Sequence, residues 1–246
     1  EERVERYGSD GPMPLRENNS YAFLPYEPEY AKYGGPRGIE LAEWHFEHSS
    51  DLVLSILDQA NTHLRTVLLG IASQLMMVMG TAFLPDRAKL RTFYRGYHEF
   101  WQHAFQVTDL ASVDRYEENF GRMSERLVQR FRDIEAAVRG DDSARLSSFA
   151  RAWADHCQEL RARVVDLAQK GDLLFPAWDP ERLRHSRTDD DFRAVTDPDT
   201  ALRILLSPYM HMTNNRLGAT IVDEAYLAYL LERVTGVEKS VTEPAP

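Results

Sequence analysis

The 246-residue chain has one cysteine, Cys157, so no internal disulfide forms and a reducing, cytoplasmic setting is expected. It is poor in positive charge. With 29 Lys and Arg against 39 Asp and Glu the formal net charge is −10, and no basic tract is present to neutralise a phosphate backbone. A nucleic-acid partner is therefore disfavoured. Long apolar runs are scarce as well. Val67 to Leu84 comes nearest to the roughly 20 residues of a membrane span. Gly70, Ser73, Gln74 and Gly80 interrupt it, so no membrane partner is expected. A glycine-rich nucleotide loop is missing, because Tyr33-Gly34-Gly35-Pro36 is short and lacks a following Lys-Ser or Lys-Thr. No His pair at i, i+4 brackets a Glu as zinc hydrolases require, so no metal is expected. The first residue is Glu1 and no apolar secretory segment follows it. The sequence thus carries no direct signal for export.

What is present is a globular composition, 43% hydrophobic and 28% charged, that can bury a sizeable core. Residues 1–36 are punctuated by Gly and Pro and read as irregular, with Tyr21-Ala22-Phe23-Leu24 as a short strand. From 37 to 236 the periodicity is mainly helical, and 237–246 reads as a tail, all within one domain. Helices are predicted over Ile39–His48, then from a Ser50-Asp51 cap, over 61–82, from an Asp86 cap through Trp101, over 112–139 ending at Gly140, and from Ser143 to Gly171. The stretch 172–199 is loop-rich, and two or three helices close the chain. The expected fold class is α+β, predominantly helical, with a small β-sheet contributed mainly by the N-terminal part.

Several candidate clusters have a plain structural explanation. His45 and His48, with Glu43 and Glu47, read as the solvated polarity of one helix. His98 and His103 lie five apart at an aromatic core edge, and His156-Cys157 reads as a buried, inert thiol beside a side chain pointing elsewhere. Two segments carry more. In Ser207-Pro208-Tyr209-Met210-His211-Met212-Thr213-Asn214-Asn215-Arg216-Leu217-Gly218, Ser207 and Pro208 suit a helix start. At about 100° per residue His211, Asn215 and Arg216 then span roughly 140° of the helix and converge on one site. In Tyr26-Glu27-Pro28-Glu29-Tyr30-Ala31-Lys32-Tyr33-Gly34-Gly35-Pro36, a surface turn with a Glu29–Lys32 pair is one reading. The other sets a carboxylate, a cation and a phenol beside a glycine turn whose backbone approaches a ligand closely.

Together the two segments resemble the C-terminal domain of class I lantibiotic dehydratases. The first gives Tyr-x-Pro-Glu-x-x-basic-Tyr-Gly-Gly followed by an acidic amphipathic helix; the second gives His-Met-x-x-Asn-Arg-Leu-Gly, with Glu224 in the helix after it. The match spans about residues 26–57 and 202–232, and the Asn-Asn-Arg-Leu-Gly wording is most similar to stand-alone members from thiopeptide biosynthesis. The resemblance implies a ribosomally made precursor peptide, leader plus core, as partner, transient contact with other pathway enzymes, and no cofactor. It offers two chemistries. One is elimination of glutamate from glutamylated Ser or Thr. The other is a formal aza-[4+2] cycloaddition of two dehydroalanines, which builds a pyridine-type core and macrocycle with loss of water and leader.

Lys32 stands where eliminating members carry Arg, and an ammonium does not reproduce bidentate carboxylate binding. The Arg-rich strand that precedes the motif in those members is not evident in residues 1–25. Both departures favour the cyclase, with elimination as the alternative and a non-catalytic peptide-binding subunit as the third reading. In the cyclase reading His211 shuttles protons, since imidazole titrates near neutrality. Arg216 and Asn215 stabilise charge on an amide oxygen, and Tyr33, Glu29 and Lys32 complete the catalytic set. Tyr209, Ser207, Tyr26, Gly34, Gly35 and Glu224 are expected to bind substrate.

Overall fold

The computed structural model describes residues 26–59, 65–104, 113–140, 145–176 and 192–237. In chain order these form α1 (Tyr30–Tyr33), α2 (Gly35–Gln59), α3 (Arg65–Phe83), α4 (Arg87–Ala104), α5 (Val113–Val138), α6 (Ser148–Lys170), β1 (Leu174–Pro176), β2 (Phe192–Ala194), α7 (Pro198–Arg216) and α8 (Ile221–Thr235).

The apolar run at 67–84 becomes the hub. From Ile71 to Phe83 all of α3 except Gln74 is buried, because α4, α5, α6, α7 and α8 all pack around it. The helix is long and apolar enough by composition to cross a membrane, and 67% of its most apolar window is buried inside the protein. Two of its carbonyls take a second donor from neighbouring helices: Trp153 Nε1–H reaches Leu75 O at 3.0 Å and Tyr94 O–H reaches Met76 O at 2.9 Å. Gly80 makes the second contact sterically feasible, since a Cβ there would lie 2.3 Å from the Tyr94 hydroxyl.

Helix α4 starts as its cap predicts, with Asp86 Oδ1 accepting from Ala88 N and Lys89 N. Leu90, Tyr94, Tyr97 and Trp101 form its buried stripe and pack chiefly against α8. The Arg87 guanidinium pairs with the buried Glu135 of α5, tying those two helices together. Gly140, two residues past α5, and Gly171, directly after α6, adopt φ of 89° and 76°, as helix-ending glycines do.

Several expectations change. The helix predicted to end at His48 and restart at a Ser50-Asp51 cap is one continuous α2. Ser49 and Ser50 donate back to Phe46 O at 3.0 and 2.7 Å, which satisfies both hydroxyls within the helix. Ser207-Pro208 does not begin a helix either. Helix α7 begins at Pro198 with Asp197 as N-cap, accepting from Thr200 N at 2.9 Å, and Pro208 sits inside it. The sheet seen among the described residues follows α6. It pairs β1 and β2 antiparallel, with Leu174 opposite Ala194 and Pro176 opposite Phe192. The strand expected at Tyr21–Leu24, the helix start at Ser143 and the tail beyond 237 lie outside the described residues; α6 itself is described from Ser148. The irregular N-terminal region shortens, since α1 and the start of α2 fall within it.

Candidate active site

The turn between α7 and α8 builds the site. Gly218, at φ 74°, ends α7, and Ala219 N donates to Asn214 O at 3.1 Å. Thr220 then opens α8 with a reciprocal cap: Asp223 N donates to Thr220 Oγ1 and Thr220 N donates to Asp223 Oδ2 at 2.7 Å. This short reversal sets the first turn of α8 against the last turns of α7. Glu224, fully buried, faces His211 across the gap. A carboxylate there also benefits from the positive end of the α8 dipole.

His211 Nδ1 and Glu224 Oε1 are 2.8 Å apart. The other carboxylate oxygen accepts from Asn214 Nδ2 at 3.1 Å and from the Tyr97 hydroxyl. Burial, with the Glu224 charge next, pushes the Tyr97 phenol well above its usual pKa, so it stays protonated and donates. A carboxylate that accepts from three groups requires the proton of His211 on Nδ1. Nε2 is thereby left as a lone pair directed toward Asn215 Nδ2 at 3.1 Å. The His211 side chain is 22% exposed, and the Trp101 ring lies 4.8 Å from it. The result is an oriented, solvent-reaching base with a buried anionic partner, the arrangement that general acid–base catalysis requires.

The predicted convergence of three polar groups holds for two of them. Asn215, one turn on, meets His211. Arg216 faces away toward α2: its Nε donates to Ser50 Oγ at 2.9 Å, one Nη to Met212 O at 2.7 Å, and its guanidinium lies 4.9 Å from the Phe46 ring centroid. The roughly 140° between His211 and Arg216 is enough for packing neighbours on both sides to separate them. Glu224 is fully buried and reaches His211 through its carboxylate. Ser207 is half-buried one turn before His211.

The first motif occupies the Arg216 side. Lys32 Nζ pairs with Glu29 at 3.2 Å on the surface and lies 5.4 Å from the Tyr33 ring centroid. Tyr33 itself is buried and stacks on the buried Tyr209 at 5.9 Å. Neither phenol hydroxyl has a hydrogen-bond partner among the described residues, and burial raises the pKa of both. Tyr26 is exposed and hydrogen-bonds Glu43. Gly34 and Gly35 adopt φ of 88° and 79°, but what approaches them is β1, not open solvent. A Cβ at Gly34 would lie 2.9 Å from the Phe175 ring and one at Gly35 3.1 Å from Leu174 Cβ, while Gly34 O accepts from Leu174 N at 2.9 Å. The expectation of a ligand-approaching turn is corrected accordingly.

His45 also departs from expectation. It is fully buried, not solvated, and its Nδ1 lies 2.9 Å from His156 Nε2. His156 in turn stacks on His48 at 4.9 Å. Burial and the neighbouring His48 lower His156 to about 4; burial first, then the charge of His156, hold His45 well below the usual imidazole range. Both are therefore neutral packing histidines at ordinary pH. Cys157 is buried with its thiol pKa raised, as an inert thiol should be. Sequence reasoning missed Tyr97, Asn214 and Trp101 as site residues. Asn214 stood inside the closing motif, whereas Tyr97 lies 127 positions from Glu224, so no local signal joins them.

No curated protein sequence matches the chain. Among solved structures, the crystal structure of TsrL is similar, with a TM-score of 0.57 at 19% identity over 88% of this chain and 71% of that one. That similarity establishes a shared fold. The family model described as "Lantibiotic biosynthesis dehydratase C-term" matches residues 1–235, well beyond the two motif segments. The chain belongs to the lantibiotic biosynthesis dehydratase C-terminal family.

Proposed function

We propose that this protein is a peptide-modifying enzyme of thiopeptide biosynthesis that joins two dehydroalanines of a precursor peptide by a formal aza-[4+2] cycloaddition. The observation that carries the reading is the His211–Glu224 pair, with Nε2 beside Asn215 on a partly exposed side chain. In the reaction the amide preceding one dehydroalanine loses its N–H proton and gains a proton on oxygen, giving a 2-azadiene conjugated with the alkene. The second dehydroalanine adds across it, forming two carbon–carbon bonds. Water and then the leader amide depart to leave the aromatic ring. His211 Nε2 takes the nitrogen proton and returns one to oxygen, and Asn215 donates to the oxygen as charge develops on it. Holding both alkenes in contact contributes the larger share of the acceleration.

A second reading has specific support. The family description names a dehydratase, and the same base would take the α-proton of a glutamylated residue as glutamate leaves. Lys32 argues against it, because its ammonium is paired with Glu29 at the surface and offers no planar fork to a departing carboxylate. Incubation with a leader-bearing peptide containing two dehydroalanines, followed by mass spectrometry, decides between them. The expected result is release of leader amide and loss of one water. Turnover of only the glutamylated peptide overturns the cyclase. His211→Phe is expected to abolish product while the protein stays folded, and undiminished product formation refutes the role of His211.

A further inference from the structure

Residues of α4 and α7 line a groove of about 550 Å³, among them Phe93, Gly96, Tyr97, Phe100, Arg203 and Ser207. That size falls in the range of pockets that enclose small organic ligands. Its floor is aromatic: Phe93 and Tyr97 stack at 5.6 Å, and Phe100 is 55% exposed. Gly96 widens it, since a Cβ built there meets nothing within 4 Å.

The groove shares residues and packing contacts with the groups around His211. Tyr97 lines it and donates to Glu224, Ser207 precedes His211 by one turn, and Phe100 packs on Trp101 at 4.9 Å, which packs on His211. Its far rim carries Lys89 and Arg203 interspersed with Asp86, Asp197 and Asp199. Lys89 is paired with Asp199. Arg203 donates only to Asp199 O at 3.2 Å and Thr200 Oγ1 at 3.4 Å, and makes no ion pair among the described residues.

We propose that this groove holds the stretch of substrate peptide flanking the reacting residues. An aromatic side chain of that stretch lies on Phe93 and Phe100, and a carboxylate of the same stretch meets Arg203. The inference rests on the peptide-substrate reading above and adds to it the class of side chains recognised and the place where they bind. The aromatic floor supplies sequence-tolerant stacking and apolar burial, and the Arg203 guanidinium, near Asp197 but in no ion pair among the described residues, adds a charge-assisted contact that orients the peptide.

Binding is measured by fluorescence with anilinonaphthalene sulfonate, an anionic aromatic probe, and by its displacement with the pentapeptide Gly-Phe-Gly-Phe-Asp. The wild type is expected to bind both. Gly96→Leu fills the groove and should weaken both about tenfold or more, a full decade in Kd. Its helix content and melting temperature should hold or rise, because Leu is a better helix former than Gly. Arg203→Gln should weaken the free-acid peptide several-fold and leave its uncharged amide, with Asn in place of Asp, unchanged. His211→Phe should bind as the wild type does, which separates the groove from the chemistry. If His211→Phe keeps turnover while Gly96→Leu loses binding, the catalytic reading fails and the groove stands. Unaltered binding in folded Gly96→Leu overturns the proposal, as does failure of the peptide to displace the probe. A concentration-dependent dimer that Gly96→Leu dissociates would assign the groove to a second copy of the chain and equally overturn it.

Discussion

Replacing Glu224 tests whether His211 is a positioned base or only a partly exposed imidazole. Glu224 accepts from His211, Asn214 and Tyr97 and is completely buried. Glu224→Ala would strip acceptors from three donors, two of them buried, and at about 1–3 kcal/mol for each buried donor it would cost roughly 2–6 kcal/mol. That is a large part of an ordinary domain's stability, so loss of activity in this variant would be uninformative. Glu224→Gln keeps the volume and one acceptor oxygen but turns the other position into a donor facing donors, at a cost of about 1–2 kcal/mol. It should fold. With the anionic partner gone, the tautomer with the proton on Nδ1 is no longer enforced, and turnover should fall about 10²–10⁴-fold, the usual share of general acid–base catalysis. Single-turnover mass spectrometry of the bis-dehydroalanine peptide measures the rate. Heteronuclear NMR of the His211 ring nitrogens should show a proton on Nδ1 in the wild type and a mixture of tautomers in the variant. A folded Glu224→Gln protein with turnover within about threefold of wild type and mixed tautomers would refute the reasoning.

Two further outcomes concern stability. His156 and His45 are held neutral by burial, so between pH 6.5 and about 4 the unfolded chain binds protons that the folded one does not, and stability should fall as the pH drops through that window. For His156 the fall from 6.5 to about 4 is worth on the order of 2–3 kcal/mol, less solvent screening at its outer edge. Urea titrations across the range should show this slope, and His156→Gln should flatten it; a flat wild-type profile would contradict the burial argument. Gly80→Ala should destabilise by about 1–3 kcal/mol through overpacking against the Tyr94 hydroxyl, read as a lowered urea midpoint. An unchanged midpoint would mean that α3 and α4 separate easily.

Much of the secondary structure was readable where local chemistry decides it. Asp86 caps α4, and Gly140, Gly171 and Gly218 follow helix ends with positive φ, because each such effect involves residues within about four positions. The misreadings share a cause. Ser50 and Pro208 carry boundary signals, yet both lie inside helices whose packing against α6, α7 or α3 outweighs the local preference. His45 looked polar and solvated in a one-dimensional pattern, and only the arrival of α6 across it shows that it is buried.

The sequence by itself determined that the chain is mainly helical, that Tyr26–Pro36 and Ser207–Gly218 belong to a family pattern, and that His211 and Asn215, one turn apart, share a face. Those properties depend on residue type and helical spacing. Tertiary structure alone decided which groups complete the site. The reversal at Gly218–Thr220 sets Glu224 against His211, α4 contributes Tyr97 from 127 residues away, and α2 draws Arg216 to the opposite side. Such pairings depend on how each helix is rotated and on what packs against it, and that is fixed by burial of the whole core around α3, not by any local stretch of chain.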